Sequence, residues 1–476
     1  QINRSFALCL FYNNFYFFYY YSFFKPFTSE EAGRILHHLQ QPAVFLNMTC
    51  DWPVLLWTAE HLSSCLGDRL VRFRLGRKQK TNAPLFETQW TLGQTDVGPF
   101  SEYPYSEYWA YADYKYIAML FEDQPCMFED VKWSDFGFEG RNGRDSTVWI
   151  GTSGANTPCH MDTYGCNLVL QVQGRKRWHL FPPEDTPNLY PTRIPYEESS
   201  VFSSVHVQSP DLKTFPAFQA ARAHIVTLQP GQVLYVPRHW WHYVESVDPV
   251  TVSVNTWIEL EVDDFARVSE AVTKMVVWAI KSAESEDNND SWLNPTEEGS
   301  ASHNENLQYL NLAVAACAQR PRGLRHGETS SHIRDAHPVK RDSSGQLKSS
   351  DSDKNPPSFS VPFGPHLTAV CCQQEKPEED DEISSSRDNV STSQNDYAPS
   401  SEGSPATSAA FEQEKNTCGT GLAPCECAAG ASKNSPEESK CTTISTNDLL
   451  ACLVHPEIIT RVTELLLESE ELHISF

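Results

Sequence analysis

The chain has 476 residues, 14 cysteines and a formal net charge of −25. That length exceeds the ~250–300 residues one core sustains, so one core plus further segments is expected. The acidic balance argues against general phosphate-backbone binding. Scattered cysteines in apolar runs (Cys50, Cys65, Cys166, Cys317) argue for a reducing compartment, read as cytoplasmic, rather than a disulfide scaffold. In the tail, Cys418, Cys425, Cys427 and Cys441 lack the paired C-x-x-C spacing of zinc knuckles.

Residues 1–24 form an atypical aromatic segment, with Asn13 and Asn14 inside it and almost no Leu, Val or Ala. It is read as a fragment or gene-model artefact rather than a membrane anchor, and no membrane partner is expected. From Lys25 the pattern becomes ordered. Thr28 followed by Glu31 predicts a capping box at the start of a helix. PAVFLNM and LVRFRL read as strands, and YWAYADYKYIAMLFED as either helix or strand. Residues 25–144 are thus an N-terminal α/β part.

Residues 145–260 hold short strands separated by Gly and Pro: LVLQVQ, RWHLF, IVTLQ, QVLYVP and TVSVNTWIEL. Such a run predicts a mainly β sandwich or barrel. EDTPNLYPTRIPYEESS is a long loop, of a length that is usually functional or disordered. Residues 261–320 predict a helical extension. Residues 321–442 are rich in Ser, Glu, Asp, Asn and Pro and predict a disordered acidic linker. Residues 443–476 return to a helical pattern, with an apolar stripe of Leu449, Leu450, Leu453, Ile458, Val462, Leu465 and Leu466. The stripe is expected to dock on the core helices, with a homodimer through these helices or another partner as alternatives.

The chemistry concentrates in TPCHMDTYGCNLVLQVQGRKRWHLFPP, residues 157–183. His160 and Asp162 are two apart and share one face of a strand, so they can hold adjacent positions on a metal. A third ligand must come from elsewhere, and PGQVLYVPRHWWHYVES offers His239 and His242. Lys176 shares a face with Trp178 and Leu180. A lysine facing a core needs a charge partner or loses its proton, and no carboxylate occupies the next same-face positions. A diacid bound to the metal at one end would present its far carboxylate to this lysine, and 2-oxoglutarate has that shape. Thr157, Asn167 and Asn255 are suitable neutral donors.

TPCHMD, NL, GRKR with LFPP, PGQVLYVPRHWWH and VNTW together resemble a JmjC-type double-stranded β-helix oxygenase, a jelly-roll or cupin-like fold with flanking helices. The similarity is greatest to the branch containing the asparagine hydroxylase of the hypoxia-inducible factor. It covers roughly residues 145–260, with a looser match back to Lys25. The resemblance implies Fe(II) bound by His160, Asp162 and His242, leaving His239 outside the ligand position. It implies 2-oxoglutarate bound by Lys176, with Thr157, Asn167, Asn255 and one tyrosine in support. Tyr111 is preferred, with Tyr114 and Tyr116 as competitors. Asn167 stands one residue further from Asp162 than in the asparagine hydroxylase, so the substrate wall does not transfer.

Further stretches, among them DVKWSDFGFEGRNGR and LYPTRIPYEESSVF, resemble family members that associate with a small heat-shock protein, which implies that partner. The expected activity is hydroxylation of an unidentified protein side chain. A non-catalytic binding role on the same scaffold is the first alternative, and a tRNA-base hydroxylase the second. For the latter the only basic run is Arg69 to Lys80, and nucleic acid is the less expected partner.

Overall fold

A computed structural model describes residues 24–78, 86–91, 107–283, 292–297, 299, 301–319, 359–373 and 444–474; in 86–91 and 470–474 it fixes the backbone alone. The aromatic segment, apart from Phe24, and the tail cysteines after Cys372 and before Cys452 lie outside them. Residues 1–374 and 444–476 group as one compact unit, and the second unit, 375–443, lies outside the described residues.

Helix α1 (Ser29–His38) begins at the expected capping box, with Thr28 and Glu31 satisfying each other's backbone N–H. Strand β1 (Ala43–Phe45), helix α2 (Ala59–Leu66), β2 (Leu70–Arg77) and β3 (Phe86–Thr91) follow. The ambiguous aromatic stretch is both of its readings in succession. It is strand β4 (Tyr108–Tyr116), then a single helical turn, α3 (Ile117–Leu120). Ten further strands run through the central region: β5 (Thr147–Thr152), β6 (Asn156–Asp162), β7 (Cys166–Gln173), β8 (Lys176–Phe181), β9 (Pro191–Thr192), β10 (Ser200–Ser203), β11 (His224–Leu228), β12 (Val233–Val236), β13 (Trp241–Ser246) and β14 (Val250–Ile258). The long loop before β10 is ordered, as a 3-10 helix (Pro183–Leu189) and the short strand β9.

The strands form two antiparallel sheets. One runs β15-β1-β12-β7-β14-β5-β4-β2-β3, where β15 is Leu367–Ala369, and the other runs β11-β8-β13-β6-β10-β9. Period-two alternation sets the layers. Phe45, Leu168, Leu170, Val233, Val252 and Val254 point out of the larger sheet into a core shared with Ile35, Leu36 and Trp57 of the N-terminal part. Val44, Val169 and Leu234 point the other way and meet Trp178, Leu180, Leu228 and Val244 of the smaller sheet. Both faces of the larger sheet are therefore covered, which is why β5 is buried at every residue. Each such aliphatic side chain contributes roughly 1.5–3 kcal/mol by leaving water.

Helix α4 (Asp264–Lys281) and α5 (His303–Ala318) make up the helical extension, and α6 (Thr446–Leu453) and α7 (Pro456–Ile474) pack on them. Leu450 and Val454 bury against Tyr196, Val277, Trp278 and Trp292. Ile459, Leu466 and Leu467 bury against Val268, Val272, Val314 and Cys317. The predicted apolar stripe needs correction. Leu449, Ile458, Val462 and Leu465 are exposed. Pro456 divides the segment into two helices, so a stripe drawn through one continuous helix loses register.

A second correction concerns the linker 321–442. Residues 359–373 within it are folded, and β15 pairs with β1 through Ala43 with Ala369, Val44 with Thr368 and Phe45 with Leu367. Leu367 and Val370 supply the buried apolar anchors that the average composition hides. The rest of the linker lies outside the described residues. No helix among the described residues is long and apolar enough to cross a membrane.

Candidate active site

Strands β6 and β13 are neighbours, and their register sets His242 directly opposite His160. The ring centroids lie 4.1 Å apart. Asp162, two residues on from His160, stays on the same face, with its Oδ1 3.7 Å from His160 Nε2. One ligand atom from each of the three lies within 4.8 Å of the others. The tautomers follow from the backbone. His160 Nδ1 is 2.9 Å from the Pro158 carbonyl and His242 Nδ1 is 3.0 Å from the Trp240 carbonyl. A carbonyl only accepts, so both Nδ1 atoms carry a proton, which leaves the two Nε2 atoms as the ring nitrogens available to a metal. Burial, reinforced by His242, lowers the His160 pKa to about 4, which keeps the ring neutral as a metal ligand must be.

The same cavity is lined by Lys176, and its Nζ donates to Ser253 Oγ at 2.8 Å and to Tyr111 Oη at 3.2 Å. These partners are neutral hydroxyls. Lys176 is 2% exposed. Burial brings its pKa down to about 7, with the Asp113 carboxylate pulling the other way. Asp113 itself is 2.9 Å from Arg74 Nε in a buried ion pair. Tyr111 is placed by a missing side chain. A Cβ on Gly151 would stand 3.1 Å from Tyr111 Cδ2 and 2.7 Å from Ser246 Oγ. Thr157 hydrogen-bonds the Tyr111 hydroxyl, whose pKa burial raises.

On β14, Ser253, Asn255 and Trp257 share one face, and all three line the cavity. Asn255 Nδ2 donates to Asn167 Oδ1 at 2.9 Å, and Asn255 Oδ1 accepts from Trp149 Nε1 at 2.7 Å and from the Thr147 hydroxyl. Trp257 Nε1 donates to Asp162 Oδ2 at 3.1 Å. Tyr114 stacks on Trp257 with an interplanar angle of 11° and hydrogen-bonds Glu197. Burial lifts the Glu197 carboxyl to about 7.

All eight residues singled out in the sequence thus converge on one cavity or its rim: Thr157, His160, Asn167, Lys176, His242, Asn255 and Tyr111 line it, and Asp162 completes the ligand cluster. Of the competing tyrosines, Tyr114 also lines the cavity, whereas Tyr116 is exposed. His239 is neither a lining residue nor part of the ligand cluster, and its Nε2 is 3.1 Å from the Thr163 carbonyl. Sequence reading missed Ser253, Trp149, Trp178 and Trp257. Ser253 and Trp257 were accessible to it, because they flank Asn255 at i−2 and i+2 of one strand. In the basic run, Arg69 bonds the Met119 carbonyl and Asp123, Arg72 the Pro295 carbonyl, and Arg74 Asp113.

Two imidazoles and a carboxylate match the 2-His-1-carboxylate donor set. With the two sheets, they define a cupin-like domain of JmjC type, and the family model described as a cupin-like domain matches residues 29–264. The "HSPB1-associated protein 1 homolog" of Danio rerio is 56% identical over 465 residues, covering 94% of this chain and 99% of that protein. "HSPB1-associated protein 1" of Homo sapiens is 47% identical over 475 residues, covering 94% and 95%. The chain belongs to the HSPB1-associated protein 1 family. A more distant relative, "Lysine-specific demethylase 8" of Xenopus tropicalis, is 30% identical over 230 residues, 46% of this chain and 49% of that protein.

Proposed function

We propose that this chain is an Fe(II)- and 2-oxoglutarate-dependent oxygenase that hydroxylates a protein side chain, and that it associates with a small heat-shock protein. The observation that carries the catalytic reading is Lys176. A buried lysine whose hydrogen bonds go to two neutral hydroxyls shares a cavity with a three-ligand metal cluster, and a dicarboxylate fits that pairing. The bound iron and 2-oxoglutarate would supply the oxidising chemistry. His160, Asp162 and His242 would hold the metal. Lys176, Ser253, Tyr111 and Thr157 would orient the far carboxylate. Trp149, Trp178 and Trp257 would exclude water from the cavity. The association rests on the names of the full-length relatives.

The test is anaerobic titration of the full chain with Fe(II) and 2-oxoglutarate, following the visible charge-transfer band, with Asp162→Ala as control. A band lost in the variant supports a competent site. A folded protein with no band leaves the small heat-shock protein association as the function of this scaffold.

A further inference from the structure

Residues 359–373 lie far along the chain from the strands they touch. Strand β15 adds to the free edge of β1 in the larger sheet, and the segment then crosses to the smaller sheet. There Cys372 bridges to His224 of β11, and Gln373 N donates to the Ala223 carbonyl at 2.9 Å. Leu46 N donates to the His366 carbonyl at 3.0 Å, and Val370 N to the Pro42 carbonyl at 2.9 Å. The segment is therefore a strap across the seam where the two sheets would otherwise end in unpaired edges.

Its side chains alternate as a strand requires. Leu367 is fully buried in the core outside the larger sheet, and Val370, of opposite parity, enters the core between the sheets. That inner core also contains Val169, Trp178 and Val244, which line the candidate active site. Val370 thus packs into the layer that forms the cavity wall. The strap is held by a three-residue ladder, a few flanking backbone bonds, the burial of Leu367 and Val370, and the contacts of Val361 with the outer core and of Phe359 with His38 and Arg34, and it is flanked in sequence by polar stretches on both sides.

We propose that the seam between β1 and β11 is a peptide-binding site for an extended segment with apolar residues at the Leu367 and Val370 positions, filled in cis by an exchangeable strap whose docking tightens co-substrate binding. Main-chain bonds to a sheet edge give such a site its affinity, and the two side-chain sockets give it selectivity. Tethering keeps the strap at high effective concentration, so a free peptide competes poorly until the strap is removed. The coupling to the co-substrate rests on the oxygenase reading above; the peptide site does not.

The test replaces residues 359–373 of the full chain with a glycine-serine sequence of equal length. A labelled synthetic peptide of sequence 359–373 should bind this variant saturably and the parent at least about tenfold more weakly. The peptide carrying Val370→Asp should not bind. The variant should bind 2-oxoglutarate several-fold more weakly than the parent, with the peptide restoring affinity. A folded variant that binds no peptide, or equal binding by variant and parent, overturns the site. Unchanged 2-oxoglutarate affinity overturns the coupling. A parent that binds no 2-oxoglutarate overturns the oxygenase reading and the coupling together, while the peptide arm still decides the seam. Should the variant fail to fold, amide exchange on the parent decides exchangeability. Leu367 and Val370 amides exchanging faster than those of β7 and β14 support it, and exchange only with global unfolding overturns it.

Discussion

The indole N–H of Trp257 points at the carboxylate of Asp162, 3.1 Å from Oδ2. One oxygen of the aspartate is thereby held, and the other is turned toward His160. Such outer partners fix ligand orientation, and their loss typically costs about 10–100-fold in metal affinity. Trp257→Phe keeps the stack on Tyr114 and removes the donor. It should weaken Mn(II) or Fe(II) binding by about tenfold without unfolding the chain. Calorimetric titration of the metal checks this, and an unchanged affinity would count against the orienting role.

Lys176 gives the site a pH signature. Burial brings its pKa to about 7, against 10.5 for a free lysine. The unfolded chain therefore binds more protons between these values. The cost of the buried charge is complete below pH 7, and the fold gains stability as pH rises from there toward 10.5. A dianionic ligand favours the charged lysine, so binding above pH 7 takes up a proton and binding below it does not. Titrations at about pH 8.5 in two buffers of different ionisation enthalpy should show uptake approaching one proton per 2-oxoglutarate, and almost none at about pH 6. Identical heats in both buffers at the higher pH would sink the assignment. Lys176→Ala should weaken 2-oxoglutarate by ~1.5–3 kcal/mol, the scale of a charged hydrogen bond.

Neighbouring leucines on α6 should behave oppositely. Leu450 is fully buried and Leu449 is 48% exposed. Leu450→Ala should destabilise the chain by ~2–5 kcal/mol. Leu449→Ala should change stability by less than ~0.5 kcal/mol. Urea denaturation of both variants separates them, and equal effects would contradict the docking of α6 on α4.

Arg74 and Asp113 form a buried pair at 2.9 Å, with Arg74 also bonded to the Asn156 carbonyl. Asp113→Ala strands the guanidinium and should cost ~3–5 kcal/mol. Replacing both residues by apolar ones of similar volume should recover much of that loss. Thermal melts of the single and double variants measure the difference.

The site was more legible than its surroundings. His160 and Asp162 lie on one short strand, and period two places them together without knowledge of the fold. Lys176 announced itself as a charge in an apolar strand. His242 needed the resemblance, because spacing alone left His239 equally eligible. What decides between them is a cross-strand register, His242 opposite His160, that no local pattern contains. Arg74 with Asp113 escaped for the same reason, as partners 39 residues apart in sequence (113 − 74). The strap escaped because nine residues, PFGPHLTAV, were averaged with the polar sequence around them.

Strand β1 has its two neighbours far from it along the chain: Ala43 pairs with Tyr235 of β12 and with Ala369 of β15. At roughly 5–20 residues per second of synthesis, β1 waits on the order of 10–40 seconds for the first neighbour and about 15–65 for the second. Until then both backbone edges of β1 lack their strand partners. The topology thus closes the second edge of β1 only after every other described strand of both sheets has been synthesised.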